Sequence, residues 1–157
     1  MTMVELKPLK IMPLKVTDAE RVAQAFPEID PQFRPLGHKL IVQLRSPVTF
    51  KNGIHLPDET VETEKWNTQI GRVRDIGPVA FRNRDTLKEW PEGAWCKIGD
   101  YVRVPKYNQD RWEIIHEAEE AMHLGYEKKR WVLFMLVSDI DLLGVKTGNP
   151  LDVKAYI

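Results

Sequence analysis

Short apolar stretches separated by long polar connections set the pattern of this chain. Leu40, Val42 and Leu44 alternate with Lys39, Ile41, Gln43 and Arg45, the period of a strand with one face on a core. Pro47 ends that stretch, and Ile70 to Ile76 reads as a second strand closed by Gly77-Pro78. Tyr101 to Val104 reads as a third, with Val102 and Val104 inward and Arg103 outward. Trp131-Val132-Leu133-Phe134-Met135-Leu136-Val137 is the strongest strand signal. It does not alternate, so both of its faces are expected to be buried, the second by another subunit or by the chain's own arm.

Two helices are expected. Thr17-Asp18-Ala19-Glu20 is a capping box, in which the Thr17 hydroxyl accepts the Glu20 N–H and Glu20 reaches back. It predicts a short helix from about Asp18 to Phe26, stopped by Pro27 and Pro31 and packing through Val22, Ala23 and Phe26. Ile115, Ala118, Met122 and Leu124 among Glu117, Glu119 and Glu120 predict a second helix over 115–125, stopped by Gly125. Residues 1–33 form an arm, with Pro8 and Pro13 holding its start extended. Residues 46–69 and 79–97 are polar connections, the latter with a turn at Trp90-Pro91-Glu92-Gly93. A tail from Lys146 reads as extended.

Composition narrows the function. Lys plus Arg equals Asp plus Glu, 23 against 23, which disfavours a dedicated nucleic-acid binder or docking to an anionic membrane. The single cysteine, Cys96, allows no intrachain disulfide, consistent with a reducing cytoplasm. Lys7, Pro8, Lys10 and Pro13 interrupt any leader-like apolar run, and Trp131 to Val137 is too short to span a bilayer. A soluble, cytoplasmic protein is expected.

Four segments, in order, resemble the GroES co-chaperonin family. Arg34-Pro35-Leu36-Gly37-His38-Lys39-Leu40-Ile41-Val42 is similar to its opening strand, and Gly71-Arg72-Val73-Arg74-Asp75-Ile76-Gly77 to its Gly-x-Val-x-x-Val-Gly strand. Lys97-Ile98-Gly99-Asp100-Tyr101-Val102 resembles its Val-Gly-Asp-x-Val step, and Asp141-Leu142-Leu143-Gly144-Val145 its closing strand. Gly53-Ile54-His55-Leu56 stands where the family carries Gly-Ile-x-Leu in a mobile loop. His38 replaces the usual Asp, Pro78-Val79 a second glycine, and Tyr107-Asn108-Gln109-Asp110 a Tyr-Gly-Gly-type turn. Such divergence would suit a bacteriophage-encoded member acting in a host cytoplasm.

The resemblance implies a mainly β fold: a small irregular GroES-like β-barrel over 34–146, with a mobile loop at 46–69, a roof hairpin at 78–97 and an insertion at 115–130. The arm at 1–33 and a tail at 147–157 are additions. It further implies a homo-oligomeric ring, a heptamer, that caps a GroEL-type chaperonin and encloses unfolded clients, with the ATPase in the partner. The chaperonin contact would be Gly53, Ile54, His55 and Leu56. Ile54 and Leu56, two apart, point to one side of an extended loop while His55 faces away. The subunit seam is expected at Arg34, Pro35, Leu36, Leu40, Val132, Phe134 and Leu136, because a small barrel leaves two edges to pair.

The remaining chemistry-bearing residues carry no enzyme signature. No nucleophile–base pair or phosphate-binding glycine loop is present, and nothing in the spacing of His38, Asp100 and Ser138 suggests a triad. His116 and His123 share a helix face in this reading, but about 10 Å of rise separates them, too far for one metal ion. No catalytic residue, metal or cofactor is therefore expected. Two other functions remain open. Trp90, Trp95, Arg82 and Arg84 could serve an OB-like barrel that stacks on single-stranded nucleic acid. A virion structural β-barrel would account for the arms but not for Gly53-Ile54-His55-Leu56.

Overall fold

A computed structural model describes residues 17–46, 50–51, 54–55, 68–106, 110–117 and 129–153. The protein is mainly β. Helix α1 (Asp18–Ala25) precedes strands β1 (Lys39–Leu44), β2 (Phe50–Lys51), β3 (Ile54–His55), β4 (Ile70–Ile76), β5 (Tyr101–Arg103), β6 (Arg111–Glu117), β7 (Lys129–Ser138) and β8 (Gly144–Val145). Six strands form one antiparallel sheet in the order β6-β7-β1-β4-β5-β8, and β2 pairs with β3 alone.

The sheet curls around a core of Leu40, Val42, Leu44, Val73, Val102, Val104, Leu133, Met135 and Val137. It is not closed into the expected barrel: β6 and β8 are its edges among the described residues. β8 is only two residues long. Arg111 and Glu113 on β6 lie opposite Met135 and Leu133, so charges point toward the core side, a feature that discourages further pairing. Glycine is required where β4 meets its neighbours. A Cβ on Gly71 would collide with the Val42 side chain and the Gln43 carbonyl, and one on Gly77 with the carbonyls of Gly37 and Lys39. These are the two glycines that frame the Gly-x-Val-x-x-Ile-Gly segment.

The other face of the sheet is covered by the chain itself. β1 is buried along both faces, contrary to the alternation its sequence suggests. Ile41, Val132 and Phe134 form a second core with Ile29, Trp112, Ile114 and Leu136. Residues 25–34 act as a strap across it. The Gln43 amide donates to the Pro27 carbonyl at 2.8 Å, the Trp112 indole to the Pro31 carbonyl at 2.9 Å, and the Ser46 N–H to the Ala25 carbonyl at 2.8 Å. Helix α1 has the expected cap, with Thr17 Oγ1 accepting from the Glu20 N–H at 3.2 Å. It packs through Val22, Ala25 and Phe26 against Ile70, Tyr101 and Leu151. Ala23 is exposed, because the eight-residue helix turns its Ala25 side to the sheet.

Glu28 fastens the strap to β4, accepting from Arg72 at 2.6 Å and Arg74 at 2.9 Å. Hydrogen bonds from Arg74 and Arg72 hold its carboxyl below the ordinary 4.5. Because the folded pKa is depressed, the clamp contributes fully above the unfolded pKa and is lost as pH falls through the folded one. Glu28 is largely exposed, so the effect is small. Glu28→Gln is expected to cost a small amount of stability at neutral pH and none in acid, so that stability falls less steeply below pH 4.5. Equal slopes of stability against pH for the two proteins would remove the clamp from the account.

The helix expected at 115–125 is corrected for its first residues. Ile115, His116 and Glu117 continue β6, paired with Trp131, Arg130 and Lys129. The β-branched pair Ile114-Ile115 suits a pleated ladder, and register with β7 overrides the local helical spacing. Residues 118–128, with His123, lie outside the described residues. The tail is not extended as read: residues 150–153 turn back, with Leu151 against the helix patch and Arg45 donating to the Val153 carbonyl at 2.8 Å.

Candidate interaction sites

Three surfaces correspond to the residues singled out in the sequence. The first is the ribbon β2–β3, where Phe50 pairs with His55 and Lys51 with Ile54. It stands apart from the main sheet in strand pairing. The backbone of Ile54 and His55 is thereby placed in a hairpin, while Gly53 and Leu56 lie outside the described residues. The mobility expected for 46–69 falls mostly outside them too.

The second surface concerns the seven residues expected at a seam. β1 lies between β7 and β4, and β7 between β6 and β1, so neither strand is an edge. Leu40, Val132 and Phe134 are fully buried within one chain, and Pro35 is buried as well. Strand β6 and the strap cover Val132 and Phe134 through Trp112, Ile114 and Ile29, whereas Leu40 lies in the main core. Arg34, Leu36 and Leu136 behave differently. They line an open cleft of about 460 Å³ together with Phe33, Trp112, Lys39, Asp110 and Arg111. Phe33 packs edge-on to Trp112, ring centroids 5.0 Å apart, and Trp112 stacks on Phe134 at 5.9 Å. Leu36 is 66% exposed. The cleft thus has apolar walls and carries Arg34, Lys39 and Arg111 against Asp110.

A second exposed apolar patch, which sequence reading did not single out as a site, runs from Ile140 to edge strand β8. Ile140, Asp141, Leu143, Gly144 and Val145 are exposed, with Leu143 at 59%, and Leu142 alone among them is turned into the core. The Asp-Leu-Leu-Gly-Val segment was legible in sequence, but its exposure was not.

The third surface is the hairpin of residues 81–90. The Trp90 N–H donates to the Phe81 carbonyl at 3.1 Å, and the Asn83 N–H to the Lys88 carbonyl at 2.8 Å, around a bridge between Arg82 and Glu89. Phe81, Trp90 and Trp95 form one aromatic cluster, with centroid distances of 5.6 Å for Phe81–Trp90 and 4.7 Å for Trp90–Trp95. Asp139, with 0% exposure, accepts from the Phe81 N–H at 2.9 Å and lies 3.6 Å from Arg84. The rings proposed for base stacking are therefore packed on the protein's own core. Arg82 and Arg84 face Glu89 at 3.8 Å and Asp139 at 3.6 Å. Cys96, under the cluster, has its thiol pushed up to about 11, chiefly by burial, which leaves it protonated and unreactive at neutral pH.

No group of three or more potential metal ligands occurs among the described residues, and no helix among them is long and apolar enough to cross a membrane. His116 belongs to strand β6, and His123 lies outside the described residues. No family model and no curated protein matches the chain. Fold and surfaces together define a small β domain whose conspicuous features are a separately paired ribbon, a cleft with apolar walls, an exposed apolar edge and a locked hairpin.

Proposed function

We propose that the chain is a co-chaperonin subunit of the GroES type. It caps a chaperonin ring in a nucleotide-dependent way, encloses a chamber for folding clients, and catalyses nothing itself. The observation that carries this reading is the placement of Ile54 and His55, within Gly53-Ile54-His55-Leu56, on a ribbon separate from the main sheet. That ribbon lies between β1 and β4, where the resemblance puts the chaperonin-binding loop. Burying two aliphatic side chains in a partner groove stabilises by roughly 1.5–3 kcal/mol each, and ordering the loop offsets much of that. A single loop binds weakly, and a ring of identical loops gains through effective concentration while still releasing readily.

The ring reading is supported by two exposed apolar surfaces on one chain. Phe33, Leu36 and Leu136 form one, and Ile140, Leu143 and Val145 form the other. A contact between different patches of identical copies is head-to-tail and closes into a ring when the rotation permits. The seam accordingly moves from the strands β1 and β7 themselves to the cleft beside Arg34, Leu36 and Leu136. Sedimentation is expected to give a closed oligomer, a heptamer by the resemblance, for the wild type. Leu36→Asp and Leu143→Asp, which place a carboxylate in an apolar contact, are each expected to sediment as folded monomers. A monomeric wild type at micromolar concentration, or variants that assemble normally, would overturn the seam.

A further inference from the structure

Two arginines of β4 converge on one point, away from the three surfaces described above. Arg72 Nη1 donates to Glu28 Oε1 at 2.6 Å and Arg74 Nη1 to Glu28 Oε2 at 2.9 Å, so each carboxylate oxygen is taken by a different guanidinium. The strand builds this fork. Val73 points into the core, which turns Arg72 and Arg74 to the opposite face. Arg103 lies opposite Ile70 and Tyr101 opposite Arg72, so Arg103 shares that face. Lys146 follows β8, and its N–H donates to the Tyr101 carbonyl at 2.7 Å. Asp75 accepts from the adjacent Ile76 N–H at 2.8 Å. Among the described residues, Glu28 is the one carboxylate paired with Arg72 and Arg74. A chain of zero net charge thus gathers cations here.

The placement of the two guanidiniums does not depend on Glu28. The side chains of Arg72 and Arg74 are 29% and 16% exposed, whereas that of Glu28 is 71% exposed. The strap on which Glu28 rides is held by other bonds. Its Ala25, Pro27 and Pro31 carbonyls accept from Ser46, Gln43 and Trp112. Arg74 also donates to the Ile29 carbonyl at 3.3 Å. Glu28 can therefore swing into solvent while the fork stays in place, and an exposed ion pair costs little to break. A phosphate offers the same pair of adjacent oxygens with more charge, and guanidinium groups suit it for that reason.

We propose that Arg72 and Arg74 form a phosphate-binding site in which Glu28 is a built-in competitor. A phosphate dianion, free or at the end of a small monoester, displaces the Glu28 carboxylate and takes over its two hydrogen bonds. The site stands independently of the co-chaperonin reading. Because the competing carboxylate is tethered, its effective concentration is high, and the wild-type protein binds phosphate weakly.

The test is a titration of the whole chain with inorganic phosphate and, separately, glycerol phosphate, followed by phosphorus NMR at an ionic strength held constant with chloride. Glu28→Ala is expected to lower the Kd for phosphate about tenfold by removing the tethered competitor. Asp18→Ala, the same change in net charge at an exposed position of helix α1, should leave the Kd unchanged. In the Glu28→Ala background, Arg72→Gln should abolish the gain. Arg72→Lys, which keeps the charge without the planar fork, should lose most of it. Tighter binding of glycerol phosphate than of phosphate assigns the site to a monoester, and the reverse order to the free ion. No gain from Glu28→Ala, an equal gain from Asp18→Ala, or a gain that survives Arg72→Gln overturns the site.

Discussion

Ile54→Asp and Leu56→Asp are expected to abolish binding to a chaperonin ring while leaving the co-chaperonin assembled. Each substitution would carry a carboxylate into an apolar groove with no partner, which costs far more than the roughly 1.5–3 kcal/mol each aliphatic side chain contributes. Because every copy in the ring bears the change, the loss multiplies across the loops and avidity cannot rescue it. His55 pairs with Phe50 across the ribbon and alternates with the two aliphatic positions, so His55→Ala is expected to weaken binding much less. Pull-down by a chaperonin in the presence of nucleotide separates these outcomes. Binding by the two Asp variants at wild-type strength would remove the loop from the proposal.

Phe134→Ala is expected to cost about 3–5 kcal/mol of folding stability, the range for emptying a fully buried aromatic site. Phe134 has 0% exposure, stacks on Trp112 at 5.9 Å and shares its core with Ile29 of the strap. All of these partners belong to the same chain. The loss should therefore be the same at every protein concentration in denaturant unfolding monitored under monomeric conditions, for example in a Leu143→Asp background. A cost that appears only in the assembled protein would mean that a neighbouring copy, not the strap, covers this face.

Local chemistry made several elements readable in sequence. β4 was expected at its observed bounds, Ile70–Ile76, because Gly77-Pro78 stops it. The Thr17 cap was legible because one hydroxyl three residues before one N–H decides it. β7 was legible as a strand, and Val132 to Met135 are buried on both of its faces as expected while Trp131 is 46% exposed, but what buries them was not legible. The cover comes from Ile29 and Trp112, far from β7 in sequence. β6 was missed for a related reason. Ile115 begins a run whose spacing and glutamates favour a helix locally, and only its seven pairings with β7 turn Arg111–Glu117 into a strand. Gln43, read as solvent-facing, is buried because the Pro27 carbonyl accepts its amide at 2.8 Å. The candidate seam was half legible: Arg34 and Leu36 came from the motif, whereas Phe33 and Trp112 join them only when the strap and β6 meet.

The most direct measurement mixes the purified protein with a GroEL-type chaperonin ring and nucleotide, followed by size-exclusion chromatography and limited trypsin digestion. The account predicts a co-eluting complex, dependent on nucleotide, in which cleavage at Lys51 and Lys65 of the loop segment is suppressed relative to the free protein. Separate elution of the two proteins under every nucleotide condition, with Lys51 and Lys65 cut equally fast with and without the chaperonin, would contradict it.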